Sequence, residues 1–438
     1  MTRHIRAIAM VDTDGGDGIG GYTYELSEGL AAQGVAVDIY SNSRGVMHEL
    51  PLPRHHRIFP VLGAPLFRQR HRLRAPLTTD GNSGRAGHDA TPQTGNVLGP
   101  KRSGRVRTAL RDVALTLEFA LYLKKQRYDL VWMQWPSDVY AGPFYSCCRR
   151  LGLPVVHTVH NILPHETDAG DMARNRDLYR KADVLIVHSH AAGTELRQLF
   201  PCTDAKIVLS RIGTYTMFRR DPAARHRSRQ ALHVAEQQPL VLFFGSVRPY
   251  KNVESVLSAL CAPALHDAVL VVAGRETGYP DSAPADPLGH TRAQAARRGV
   301  GDRVRFLPGR LDLTATTELF EASDILTLPY TQSYGSAALL LGMTFGKHIV
   351  ASRVGCMEEY LTRYPQHTLL DGSDAASVVS GLTDAVTCSH RAESNEVSLL
   401  SLTWSSIARE ALAQLNDRRV AATAGLSLTQ AFSRRLFR

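Results

Sequence analysis

Short apolar runs alternate with amphipathic stretches along most of this chain, and that rhythm restricts its fold more than any other feature. Residues 5–11 read as a buried strand, 22–33 as an amphipathic helix closed by Gly34, and 35–40 as the next strand. Strand-like runs recur at 130–133, 155–159, 184–187 and 206–209, with helical stretches between them. After a polar, Arg-rich segment at 219–229 the pattern restarts. Strands are expected at 240–244, 268–273, 304–307, 325–328 and 349–351, and helices at 253–260, 314–322, 336–345, 375–386 and 404–415. Asn416 and Asp417 are expected to end the last helix. Strands alternating with helices form βαβ units, and βαβ units form parallel sheets. With 438 residues and 44% hydrophobic content, the chain can fill two such cores. The expected architecture is two doubly wound α/β domains, over 1–215 and 216–400, with a helical tail over 401–438 that can return to the first domain. Ligands of such domains sit at the carboxyl ends of the strands, here in a cleft between the two sheets.

Four loops at predicted strand ends carry candidate chemistry. Asp14 to Gly21 is glycine-rich and leads into the first helix, so a ligand can approach its backbone and the helix N-terminus. Gly16, Gly18 and Gly21 also satisfy the spacing of a dinucleotide fingerprint, with Asp38 following. The second loop, Gly245-Ser246-Val247-Arg248-Pro249-Tyr250-Lys251-Asn252, offers Arg248 as a bidentate phosphate ligand and Lys251 as a point charge. The third, Leu328 to Ala338, opens a helix with small residues, leaving the N–H groups of Gly335, Ser336, Ala337 and Ala338 accessible to phosphate. The fourth runs from His157 to Glu166 and holds His160, His165 and Glu166 as candidates for substrate contact or base catalysis. His157 and His160 are expected on opposite faces of a strand, and the helical zinc signature is missing, so no metal site is expected.

The net charge of +10 is concentrated between residues 54 and 127, where fifteen Lys or Arg stand against four acids. Large apolar residues interleave with the arginines. Such a stretch suits an anionic membrane surface or a solvated basic face, and no nucleic-acid motif accompanies it. Residues 76–104 are rich in Gly, Thr, Ser, Asn and Pro and are expected to form a flexible insertion. No apolar run reaches the ~18–20 residues that span a bilayer. The first ten residues show no signal-peptide core, and the six cysteines have no metal-ligand spacing. A cytoplasmic protein with reduced thiols, peripheral at the inner face of the membrane through its basic stretch, is the expectation.

These loops give the chain its resemblance to a known family. Gly20-Gly21 before the first helix, His160-Asn161, Gly245 to Lys251, Gly346-Lys347 before a strand, Val354-Gly355 followed by Glu359, and 404–407 resemble positions of the group 1 glycosyltransferases, which have the GT-B fold. The texture is closest to bacterial exopolysaccharide transferases, including xanthan-type mannosyltransferases. The resemblance implies two Rossmann-like domains facing a cleft, a UDP- or GDP-sugar held by the second domain, and a glycan or polyprenyl-linked acceptor held by the first. By the same resemblance, Arg248 and Lys251 contact the donor diphosphate and the Gly20-Gly21 loop approaches the donor from across the cleft. Gly245, Gly335, Ser336, Ala337 and Glu359 belong to the donor site, and no bound metal or other cofactor is needed.

One departure is large. Many members carry a Glu-x7-Glu pair against the donor sugar and ribose, and those positions here are Ser333 and Leu341. The sequence therefore leaves three alternatives open: an active transferase, a catalytically silent GT-B subunit scaffolding a partner, and a GT-B epimerase. A dehydrogenase rests on the glycine spacing alone.

Overall fold

The computed structural model describes residues 4–12, 17–41, 50, 57–59, 117, 119–135, 138–164, 170–279, 286–388 and 399–423. The insertion expected at 76–104, most of the basic stretch, and His165 and Glu166 lie outside the described residues.

Thirteen strands among the described residues form two parallel sheets. The first contains β1 (Ala7–Asp12), β2 (Ala36–Ser41), β3 (Arg57–Phe59), β4 (Leu130–Trp135), β5 (Val155–Thr158), β6 (Val184–Val187) and β7 (Ile207–Leu209), in the order β3-β2-β1-β4-β5-β6-β7. The second contains β8 (Leu240–Phe244), β9 (Val269–Gly274), β10 (Val304–Pro308), β11 (Ile325–Leu328), β12 (His348–Ser352) and β13 (His367–Leu370), in the order β10-β9-β8-β11-β12-β13. The strand order reverses between β1 and β4 and between β8 and β11. Each reversal splays the following loops apart and leaves a crevice.

The helices follow the strands as the apolar periodicity dictates. In the first half they are α1 (Asp17–Ala31), α2 (Asp138–Arg150), α3 (Asp171–Lys181) and α4 (His190–Leu199). In the second they are α5 (Ala224–Ala231), α6 (Val253–Ala259), α7 (Gly289–Arg297), α8 (Leu313–Ala322), α9 (Ala337–Thr344), α10 (Met357–Leu361) and α11 (Ala375–Cys388). α1 begins five residues ahead of the expected start, so Gly18, Gly20 and Gly21 belong to the helix rather than to a turn.

The last helix, α12 (Trp404–Thr423), lies on α1 and β7 of the first domain. Trp404 donates its indole N–H to the Thr214 carbonyl at 2.7 Å, and Gln414 reaches Leu209 O at 3.2 Å. Asn416 and Asp417 do not end this helix. The Asn416 amide oxygen instead accepts from Ile5 N at 3.2 Å, a tertiary contact that takes the capping group away from its own backbone. The packing makes one hydrophobic core run across the domain boundary, through Tyr22, Ile212, Tyr215, Tyr330, Ala338 and Trp404.

The linker between the domains is clamped from both sides. Glu25, buried on α1, accepts from Met217 N and the Thr216 hydroxyl, both at 2.7 Å, and from Thr216 N. Burial pushes its pKa up, against the pull of these hydrogen bonds. On the second domain, Arg220 pairs with the buried Glu321 at 2.7 Å, and the buried Arg229 with Asp324 at 3.2 Å.

Candidate functional site

The carboxyl ends of β8, β9 and β10 and the N-termini of α1 and α9 meet around one cavity of about 560 Å³. Each wall has a local reason. Gly274, at φ +148°, closes β9 where a Cβ would collide with the Gly245 carbonyl, so the two strand ends come together only as glycines. The chain then turns through Pro249–Lys251, which brings Lys251 to the cavity. Its ammonium lies 5.4 Å from the centre of the Tyr330 ring. Burial, helped by the nearby Arg248 charge, lowers its pKa to about 8.

Ser336 is the N-cap of α9 and its hydroxyl accepts from Leu339 N at 3.2 Å. Ala337 and Ala338, whose N–H groups precede the first intrahelical bond, line the cavity at the positive end of the helix dipole. From the other domain Gly18 reaches the same point. A Cβ placed on it would stand 3.9 Å from the Ala337 side chain. Two helix N-termini from two domains thus converge on one space. Lys251, Arg275 and Arg310 also line it, and no Asp or Glu does among the residues whose side chains are described. The arrangement suits a phosphate-bearing anion.

Of the residues singled out in the sequence, Gly245, Lys251, Gly335, Ser336 and Ala337 line this cavity. Gly20 and Gly21 do not. They lie within α1, where a Cβ on Gly21 would press on Met217 and Tyr215, so this glycine permits helix-to-linker packing. The glycine facing the cavity is Gly18. Arg248 is not a lining residue; it stands on extended backbone just before the Lys251 turn and acts there through its charge. Glu359 lies elsewhere as well. Its carboxylate accepts from His190 N at 2.7 Å, so it caps α4 of the other domain, where the first-turn N–H groups and the helix dipole draw an acid. Next to it, the Tyr360 hydroxyl accepts from Ile212 N at 2.6 Å and donates to His188 O at 3.0 Å. This part of the second domain is a docking face.

His160, half-buried, stands beside the buried Gln134, His188 and Tyr22. Its ring meets Tyr22 edge-on at 4.9 Å. His188 Nδ1 faces the Ser210 carbonyl at 2.9 Å, so it carries the proton. His188 Nε2 is then an acceptor for His160 Nδ1, 3.4 Å away. This leaves the His160 Nε2 lone pair toward the Gln134 amide at 3.3 Å, a hydrogen bond only when that amide is turned to donate from its otherwise unpartnered NH2 group. Burial drives the pKa of both down, that of His188 to about 4. His157 points elsewhere, to the Tyr145 hydroxyl at 2.6 Å. Asp38 accepts from Tyr128 at 2.5 Å, away from the glycine turn with which its spacing associates it.

Leu341, at the position of an expected glutamate, lines the cavity with a buried alkyl chain. Ser333, at the other, lies 3.5 Å from Cys356 Sγ. Sequence reasoning missed Arg275 and Arg310, although each follows a glycine that ends a strand-like run, a pattern already used to find Lys251. It also missed Tyr215, Met217 and Phe218, which line the cavity from the linker and carry no local signal.

Residues 17–213 match the glycosyl transferase 4-like domain, and residues 224–396 match the glycosyl transferases group 1 family. A D-inositol 3-phosphate glycosyltransferase of Salinispora arenicola is 29% identical over 273 residues. That match takes in 57% of this chain and 59% of the relative, under two thirds of its length. Among solved structures, sucrose-phosphate synthase from Thermosynechococcus elongatus superposes with a TM-score of 0.66 at 18% identity, over 95% of this chain and all of that one. Anabaena HepE in complex with UDP-glucose gives 0.62 at 16% identity, over 96% of this chain and all of that one. At these identities the two structures speak for the fold.

Proposed function

Since this chain belongs to the group 1 glycosyltransferases of GT-B fold, we propose that it transfers a sugar from a nucleoside-diphosphate donor to a hydroxyl of a glycan or lipid-linked oligosaccharide. The carrying observation is the cavity itself: two converging helix N-termini, Lys251, and walls free of carboxylates among the residues whose side chains are described. As the bond from the anomeric carbon to the diphosphate breaks, negative charge grows on the departing oxygen. Lys251, the first-turn N–H groups of α9, and Arg248 from behind stabilise that charge in place of a metal ion. If the reaction inverts, Glu166 or His165 takes the acceptor proton. If it retains, His160 and the backbone near it steady the sugar.

The relative's name describes transfer to a phosphorylated inositol. For this chain a membrane-near acceptor in bacterial exopolysaccharide or cell-surface polysaccharide synthesis is the reading we favour. Its support is an exposed face near the start of β4, where Leu117 and Leu121 are 61% and 70% accessible beside the exposed Lys124 and Lys125. Such a face suits anionic lipid, which would place the protein at the inner side of the membrane.

A second reading, a silent subunit that scaffolds a partner transferase, is favoured by Leu341 standing where the family's carboxylate would be. The two separate in a nucleotide-release assay with UDP-, GDP- and ADP-sugars, with and without solubilised membrane lipid. Release from one donor that is lost in Arg248→Ala and Lys251→Ala supports the transferase. Donor binding with no release under any acceptor supports the scaffold.

A further inference from the structure

We infer that the cavity selects a nucleobase that presents a keto oxygen, guanine foremost, and that Arg310 is the residue that reads it; this rests on the nucleotide-sugar reading above. The diphosphate anchors stand at the middle of the second sheet, Lys251 after β8 and the α9 N-terminus after β11. From there a nucleoside can extend toward β12 and β13 or toward β9 and β10. No residue of β12, β13 or the loops after them lines the cavity among the described residues, whereas Arg275 follows directly on β9 and Arg310 follows Gly309 at the end of β10. The cavity therefore runs one way.

Neighbouring strands are ~4.8 Å apart, so Arg275 is one step and Arg310 two steps, about 10 Å, from the Lys251 turn. Two steps reach past a ribose to a base. The walls after β10 suit a flat ring, with the apolar Leu311 and Leu313.

Both arginines are donors with no acceptor capacity. Thr316, also lining this end, serves either role and does not discriminate. Guanine offers O6 and N7 side by side, which matches the guanidinium fork. At the edge away from its ribose uracil offers a single carbonyl, O4. At that edge adenine and cytosine turn an amino group toward the same fork, donor against donor, and no carboxylate lines the cavity among the residues whose side chains are described to receive it. Arg275, one step nearer, is placed for the ribose or the first phosphate.

The experiment is calorimetric titration of the full chain with GDP, UDP, ADP, CDP and inorganic pyrophosphate, for the wild type, Arg310→Ala and Arg310→Lys. GDP is expected to bind tightest and UDP next, with ADP and CDP weaker than GDP by about tenfold or more. Both variants should bring GDP to the level of ADP and leave pyrophosphate unchanged, because lysine keeps the charge and loses the fork. ADP or CDP binding as tightly as GDP to the wild type overturns the inference and leaves the transferase reading standing. So does a loss in the variants shared equally by all five ligands, which would make Arg310 a plain phosphate contact. Binding of pyrophosphate alone, or of none, overturns the nucleotide-sugar reading itself.

Discussion

Lys251 makes donor affinity depend on pH, with a sign that the structure fixes. Burial holds its pKa at about 8. The charged fraction of a group with that pKa falls from roughly 90% at pH 7 to roughly 10% at pH 9. A bound diphosphate favours the ammonium, so binding is coupled to keeping or regaining that proton. Affinity is therefore full below pH 8 and falls as pH rises through it, by about tenfold between pH 7 and pH 9. The contact itself is a charge-assisted hydrogen bond, for which about 1.5–3 kcal/mol is typical. Lys251→Ala should accordingly weaken donor binding by about 10- to 150-fold at pH 7 and flatten the pH profile. Lys251→Arg keeps its charge throughout and should flatten the profile while retaining much of the affinity. The assay is titration calorimetry with an intact nucleotide sugar, whose diphosphate diester does not itself titrate in this range. Equal pH slopes for the wild type and Lys251→Arg would refute the reasoning, because the titrating group would then lie elsewhere.

Three further outcomes follow from particular contacts. Gly355 sits at φ +54° with the Ser333 carbonyl where a Cβ would go, so Gly355→Ala should cost more than ~2 kcal/mol in urea unfolding. Gly34→Ala, at φ +77° in open space, is the control for backbone strain alone, and an equal loss there would remove the Ser333 clash from the account. Glu25→Ala strips the acceptor from Thr216 N and Met217 N and should destabilise the fold by about 1–3 kcal/mol for each N–H left dry; an unchanged melting temperature would mean that water reaches the linker. His157 and His188 are held neutral in the fold with pKa values of about 4, so the unfolded chain binds more protons below its ordinary histidine pKa. Stability should fall as pH drops from about 6.5 toward 4, by roughly 2 kcal/mol per histidine at pH 5, and His188→Gln should reduce that slope.

The strands and their order of appearance were legible because buried parallel strands are short apolar runs and the helices between them keep a 3.6-residue period. Lys251, Gly245 and Ser336 were legible for the same reason: each stands at a junction where a strand ends and a helix begins. What escaped was set by packing between distant segments. Glu359 fits a family motif by spacing, yet the α4 N-terminus of the opposite domain takes its carboxylate. Gly21 looked like a ligand-facing glycine, but its missing Cβ makes room for the linker. Asn416 looked like a helix stop, but its amide meets Ile5, more than four hundred positions earlier. Arg275 and Arg310 were overlooked for another reason. The Gly-Arg pairs were visible at strand ends, but a single sequence gives no strand order, and only the order places them around Lys251.

The same packing makes the site a product of domain contact. Neither domain alone builds the cavity, because Gly18 comes from the first and the α9 N-terminus from the second. Their approach is held by the shared hydrophobic core and by hydrogen bonds that include Glu359 to His190 N, Tyr360 to Ile212 N and His188 O, Tyr215 N to the Thr344 hydroxyl at 3.0 Å, and Tyr334 to Glu195 at 2.9 Å. The same histidine whose backbone takes the Tyr360 hydroxyl also holds His160 through its ring. A change that opens the cleft therefore shifts His160 and separates the two helix N-termini together. Tyr360→Phe, which removes one hydroxyl and leaves the ring packing intact, should weaken donor binding although Tyr360 is not among the lining residues. Its effect on His160 should follow as a shifted imidazole resonance in the free protein. Weaker binding with an unmoved resonance would show that the closing contacts and the histidine group are independent. Unchanged binding would show that the remaining contacts suffice to hold the two N-termini together.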